Sequence, residues 1–203
     1  MDEIFENSVV ESGVKLGKNV KIMPFCYVGG QTELGDGTVV ESFSFLLNAK
    51  VGANVVVRSS RITDSAVGDF STVGPNAHLR QNAVVGKNCR IGNFVEVKGS
   101  VIGDGCKASH LAYIGDAEIG ANCNVGCGVI FVNYDGKDKH KTVVGNNCFI
   151  GCNSNLVAPL EIGDDCFVAC GATVDKNLPV GSFSIGRSRI SIKENYAEKY
   201  LKK

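Results

Sequence analysis

Residues 85–126 read VGKNCRIGNFVEVKGSVIGDGCKASHLAYIGDAEIGANCNVG. Aliphatic-glycine pairs begin at Val85, Ile91, Ile102, Ile114, Ile119 and Val125, and the phrases GKNC, GDGC and GANC place Cys89, Cys106 and Cys123 at steps of 17. Extended to the whole chain, the same pairing puts 17 of the 25 glycines behind Leu, Ile or Val, at spacings that are mostly 6, 12, 17 or 18. The unit is therefore six residues, and three units make a turn of about eighteen, the signature of a hexapeptide β-helix. Each unit predicts a short strand with its aliphatic side chain inward, followed by a corner where glycine or a small polar residue takes a positive φ. About ten coils stacked at the sheet spacing build an all-β prism of parallel strands about 50 Å long.

The remaining composition agrees with thin, regular layers. With 203 residues, no Trp and 7% aromatics, the core is filled by small aliphatics. Charges balance at 21 basic against 21 acidic residues, which argues against a nucleic-acid grip held by bulk positive field. No apolar run approaches the length of a membrane span, and the start MDEIFENS lacks the basic and apolar regions of a signal peptide. The chain reads as soluble and cytoplasmic, with neither nucleic acid nor membrane as partner.

Nine cysteines test the register. Cys89, Cys106, Cys123, Cys148 and Cys166 end the same local phrase and form one column, while Cys127, Cys152 and Cys170 form a second, offset by four. A zinc site needs convergent ligands, whereas a column points its side chains in parallel, so no metal is expected. Parallel Cβ vectors also oppose disulfide geometry. Free thiols acting as small core fillers are the simpler reading.

Departures from the period mark candidate function. The step from Ile119 to Val144 is 25 instead of 18, extruding a loop at about 131–142, FVNYDGKDKHKT. Long loops on rigid scaffolds carry sites. The coils are expected to occupy residues 1–189, and the helical composition of 190–203 predicts a short C-terminal helix serving as a cap or arm. Arg80 and Lys98, eighteen apart, share one phase of adjacent coils. Stacked cations repel unless an anion joins them, so they form either a phosphate clamp or a splayed, solvated pair. Of the three histidines, His110 sits where the spacing contracts; His78 occupies an ordinary strand position and His140 a run of lysines.

The phrases HLAYIGDAEIG and NYDGKDKHKT, with GNFVEVKGS, NVGCGVI, LVAP and SIGRS, resemble the left-handed β-helix acetyltransferase domain of the bacterial bifunctional N-acetylglucosamine-1-phosphate uridyltransferase/glucosamine-1-phosphate acetyltransferase. The resemblance runs from about residue 75 to 187; the earlier coils match only as generic hexapeptides. It implies a left-handed helix and transfer of acetyl from acetyl-CoA to glucosamine-1-phosphate, feeding cell-wall precursor synthesis. It further implies acceptor binding by Arg80, Lys98, Tyr113, Asn124 and Lys139. His110 would be the general base, a task suited to an imidazole, and Glu96 would orient or charge-stabilise it. Acetyl-CoA, as cosubstrate, would lie near Cys127, Asn133, Tyr134, Cys152, Cys170 and Arg187, with cysteine standing where the family usually has Ala or Ser. A homotrimer with sites between subunits is implied as well. No L-x-x-G-x-G-T-R-M loop precedes the repeats, so uridylyl transfer and its magnesium are not expected. Alternatives are a CoA-dependent N-acyltransferase acting on another amino sugar or nucleotide sugar, and a trimeric scaffold without catalysis. A carbonic anhydrase on the same fold would need two of its three zinc-binding histidines close in sequence, and the histidines here lie 32 and 30 apart.

Overall fold

A computed structural model describes residues 3–199. Within them the chain winds through three parallel sheets of eleven, ten and nine strands, each strand pairing with its counterparts one coil away. Face I runs from Glu3–Ile4 to Phe183–Ser184, face II from Val9–Val10 to Thr173–Val174, and face III from Lys15–Leu16 to Leu160–Ile162. Strands are two to four residues long because each hexapeptide must turn a corner.

The corner chemistry explains the recurring phrases. In GKNC, GDGC, GANC, GNNC and GDDC the third residue adopts the left-handed conformation: Asn88, Gly105, Asn122, Asn147 and Asp165, with φ of 55, 72, 58, 55 and 57°. Asn, Asp and Gly tolerate that region best. Its N–H donates to a carbonyl of the preceding coil, as from Asn122 to Asp104 at 2.8 Å. The following cysteine then points inward.

The core is one column of aliphatics, among them Ile22, Leu46, Ile62, Leu79, Ile91, Ile114, Ile150 and Leu156, widened by Phe131. Burying each such side chain contributes about 1.5–3 kcal/mol. All nine cysteines are free, and the inner column does more than fill space. Cys89, Cys106, Cys123 and Cys148 donate from Sγ to the carbonyls of Gly103, Gly120, Gly145 and Gly163 at 3.0–3.1 Å. Thr38 and Ser71 make the same bond in earlier coils, to Gly52 and Gly86. The thiols are thus rungs that tie one coil to the next, and burial pushes the Cys148 thiol up to about 11.

Between the face II strand Ile130–Val132 and the face III strand Thr142–Val144 the chain leaves the prism and returns in register, with Ala117 opposite Thr142. After Ser184 the described residues hold only a 3-10 turn, Ala197–Lys199. The remainder of the expected C-terminal helix, residues 200–203, lies outside the described residues.

Candidate active site

Face II brings the first group of candidates together. Its ladder sets His78 opposite Glu96 and Glu96 opposite Tyr113, with Arg80 opposite Lys98 and Lys98 opposite Gly115. Arg80 and Lys98 are therefore stacked neighbours, and each has a carboxylate. Arg80 Nε donates to Glu96 Oε1 at 2.6 Å, while Lys98 Nζ, only 5% exposed as a residue, reaches both Asp116 oxygens at 2.9 Å. Asn133, buried, donates from Nδ2 to Asp116 Oδ2 at 2.5 Å and lies 3.5 Å from the Tyr113 hydroxyl. Tyr113 can lie along its own strand because residue 115 is glycine: a Cβ there would stand 2.5 Å from the phenol oxygen.

Burial works against ionisation of both Lys98 and Asp116, but their contact prevails, holding the ammonium above and the carboxyl below their ordinary values. Lys139, on the exposed loop, is pushed down by the neighbouring Lys98 ammonium. Three cations thus face two carboxylates, leaving the cluster short of one negative charge. Asp116 was not among the sequence candidates; its only signal was the contraction from Ile114 to Ile119.

The loop that carries Lys139 is locked from within. Tyr134 and Lys139 form an antiparallel bridge, His140 N–H donates to the Asn133 carbonyl at 2.8 Å, and Asp135 accepts from the N–H groups of Lys137 and Asp138. Asp135 Oδ2 also lies 2.7 Å from His140 Nε2. The Asp138 N–H first, then His140 and the Lys137 N–H, hold the Asp135 carboxyl at about 2. A carboxyl depressed on folding stabilises above its unfolded value and loses that contribution as pH falls toward its folded one. The loop lock should therefore dissolve between about pH 4 and about pH 2. We expect the amide resonances of Lys137 and Asp138 to titrate with a midpoint near 2; a midpoint near 4 would show that Asp135 is not engaged.

A second group lines the corner between faces I and II. His110 ends the strand Lys107–His110, is exposed, and lies opposite Asn93. It immediately precedes the left-handed residue Leu111, as Cys127 precedes Gly128, Cys152 precedes Asn153 and Cys170 precedes Gly171. Bonds from Gly128 N–H to the Leu111 carbonyl, Asn153 to Cys127 and Gly171 to Cys152 join these corners at 2.8–2.9 Å. His110 therefore heads the outer thiol column, of which Cys152 and Cys170 are exposed. Arg187 reaches the far end, donating from Nη1 to the Cys170 carbonyl and lying 2.9 Å from its Sγ. Glycines keep the adjacent backbone low, since a Cβ on Gly126 or Gly151 would come within 2.6 Å of the next coil's backbone nitrogen. On the N-terminal side of His110 a cavity of about 300 Å³ is lined by Arg58, Thr72, Arg90, Asn93 and Ser109.

The two groups are not joined within one chain. Asn124 stands on face I, opposite Lys107 and Phe149, away from the face II cluster. Among the described residues no hydrogen bond or ion pair links His110 or Asn124 to Arg80, Lys98, Tyr113 or Lys139. Glu96 is committed to Arg80, so its expected orienting role toward His110 has no hydrogen bond to rest on.

A parallel triangular helix of hexapeptides, with an extruded loop and a histidine heading a small-residue corner, defines a hexapeptide-repeat protein, and the comparisons place its likeness among transferases built on that repeat. The family described as bacterial transferase hexapeptide (six repeats) matches residues 13–47 and 141–176, and that described as the GMPPB C-terminal domain matches 61–145. The particular relatives are bifunctional proteins GlmU. That of Clostridium botulinum (strain Langeland / NCTC 10281 / Type F) is 45% identical over 194 residues, covering 96% of this chain and 42% of the relative. That of Clostridioides difficile (strain 630) is 46% identical over 193 residues, covering 95% and 42%. The chain thus spans about two fifths of the length of these curated relatives. The solved structure of LpxA, a UDP-N-acetylglucosamine acyltransferase from Bacteroides fragilis 9343, superimposes with a TM-score of 0.59 at 19% identity, over 88% of this chain and 69% of that one. It shares the fold, a left-handed parallel β-helix.

Proposed function

We propose that the chain transfers an acetyl group from acetyl-CoA to the amino group of glucosamine-1-phosphate, giving N-acetylglucosamine-1-phosphate. The observation that carries this reading is the convergence of Arg80, Lys98, Tyr113 and Lys139 on one spot of face II. A cluster of three cations and a phenol suits the phosphate of a small sugar. Lys98 and Asp116 hold each other rigid, so the site is preorganised, and Lys139 supplies the charge left unneutralised.

The donor's pantetheine would lie along the corner of Cys127, Cys152 and Cys170, with Arg187 at the far end and the thioester beside His110. Cysteine is small enough to line such a groove. His110 then accepts a proton from the sugar amine as its nitrogen attacks the thioester carbonyl. The C–S bond breaks, and the imidazolium passes its proton to the departing sulfur, so that CoA leaves as the thiol and His110 returns to its neutral form. We assign the backbone N–H groups near Asn133 and Tyr134 as the donors for the developing oxyanion, reached across the contact between copies.

The separation of Asn124 and His110 from the face II cluster supports a site completed between copies, face I of one against face II of the next, as in a cyclic homotrimer. A cytoplasmic location goes with an acetyl-CoA donor, and among the described residues no helix is long and apolar enough to cross a membrane.

The test is acetyl transfer to glucosamine-1-phosphate beside glucosamine, glucosamine-6-phosphate and a UDP-linked amino sugar, followed by mass spectrometry because nine cysteines would interfere with thiol reagents. We expect a clear preference for the 1-phosphate. Preference for the UDP-linked sugar would overturn the acceptor assignment while retaining the class. No transfer to any amino sugar would overturn the reading.

A further inference from the structure

We infer that Arg90 and Arg58 form an anion seat on the base's own face, which holds the acceptor's phosphate from the side opposite the Lys98 cluster and selects a phosphorylated amino sugar over an unphosphorylated one. This rests on the proposed acetyl transfer and adds residues that the sequence resemblance does not assign.

On face II, Arg80 and Lys98 each have a carboxylate of their own. On face I, Thr72, Arg90 and Lys107 are stacked in register, and neither Arg90 nor Lys107 has an ion-pair partner among the described residues. Arg58 meets Glu41 only through Nε, at 3.1 Å, so its terminal nitrogens are free of that pair. Two neighbouring cations with one carboxylate between them are stabilised when an oxyanion joins them.

Space and shape agree. Both arginines line the cavity of about 300 Å³ that ends at His110. Its floor is bare backbone. A Cβ on Gly74 would lie 2.1 Å from the Arg58 carbonyl oxygen, and one on Gly92 would lie 2.0 Å from that of Ser109. Thr72, Asn93 and Ser109 add neutral hydrogen-bonding groups. The volume stands at the bottom of the range for small-molecule pockets and accommodates a monosaccharide phosphate. An amino sugar whose phosphate rests on the arginines would have its amine within the same cavity as the imidazole.

Arg90→Gln is the decisive variant, since Arg90 is exposed and its loss leaves the coil intact. Losing a charge-assisted contact to phosphate should raise the KM for glucosamine-1-phosphate about 10- to 100-fold, with kcat within a few-fold and kcat/KM for unphosphorylated glucosamine unchanged. Equal losses on both acceptors would show a structural role and overturn the seat, as would an unchanged KM for the phosphate. A second readout does not depend on turnover. Inorganic phosphate titrated into the protein should shift the imidazole resonances of His110 in the wild type and in Arg80→Ala, but not in Arg90→Gln. If no amino sugar is acetylated yet this shift is found, the acetyl-transfer reading fails and the anion seat stands. If His110 does not respond to phosphate, the seat is refuted whatever the enzyme does.

Discussion

His110→Ala should lower the turnover of acetyl transfer by about two to four orders of magnitude, the usual contribution of a positioned general base. The same change should leave the melting temperature nearly unmoved. His110 is exposed, ends its strand, and its ring makes no hydrogen bond among the described residues, so removing it opens no cavity and orphans no buried partner there. The contrast between a large kinetic and a small thermal effect separates a base from a structural histidine. Exogenous imidazole adds a second discriminator: it should restore part of the turnover in His110→Ala and none in a variant that fails for want of acceptor binding. Turnover within about tenfold of wild type would remove His110 from the role and turn attention to the other groups of its cavity.

Much of this arrangement was legible because a six-residue period fixes where each Cα stands. Arg80 and Lys98 were placed opposite each other by counting, and the ladder has them so. The thiol columns and the extruded loop follow from the same count. Counting fails where the coil length changes. Lys98 and Asp116 are also eighteen apart, yet that coil is a residue shorter, and Lys98 faces Gly115 instead. Asp116 falls at the corner with a φ of 49°, from which its carboxylate turns back onto Lys98. Side-chain direction of this kind is set by the corner, and no periodicity reports it.

Two further features were hidden for related reasons. His140 looked like a member of a lysine run, whereas its ring lies against Asp135 inside the loop, a contact between residues five apart that depends on the loop's own fold. Arg58 lies in an early coil outside the phrases that carry the sequence resemblance, although the relatives align over 96% of the chain, and its nearness to His110 arises from stacking across three coils. Corners also broke the expectation that small or polar residues take positive φ. Phe25, Phe43, Phe70 and Phe94 do so with φ of 55–64°, and all four are exposed. An aromatic residue in that region is strained, and this strain is compatible with the tight corner that the neighbouring strands impose.

The second large effect is expected at Lys98, where fold and function can be separated. Lys98→Met keeps the length and apolar stem of the side chain but leaves the Asp116 carboxylate with the Asn133 amide as its hydrogen-bond donor and Lys139 as its neighbouring cation. Breaking a buried pair on one side strands the other charge; Asp116 is about a quarter exposed, so water recovers part of the loss. A destabilisation of about 1–3 kcal/mol follows, or a fall in melting temperature of about 2–4 °C for each kcal/mol in a chain of this size. The acceptor KM should rise about 10- to 100-fold at the same time, because the phosphate loses its most rigid cation. The double variant Lys98→Met/Asp116→Asn then distinguishes the two consequences. Neutralising the stranded carboxylate should return most of the stability and none of the affinity for the sugar phosphate. The pair's contribution also has a sign in pH: the Asp116 carboxyl is held down on folding, so its share is complete above about pH 4 and is lost as acid protonates it. A double variant that recovers normal KM would mean that Lys98 serves only to hold Asp116 in place. One that recovers stability alone makes Lys98 a phosphate ligand whose counter-ion keeps it in position.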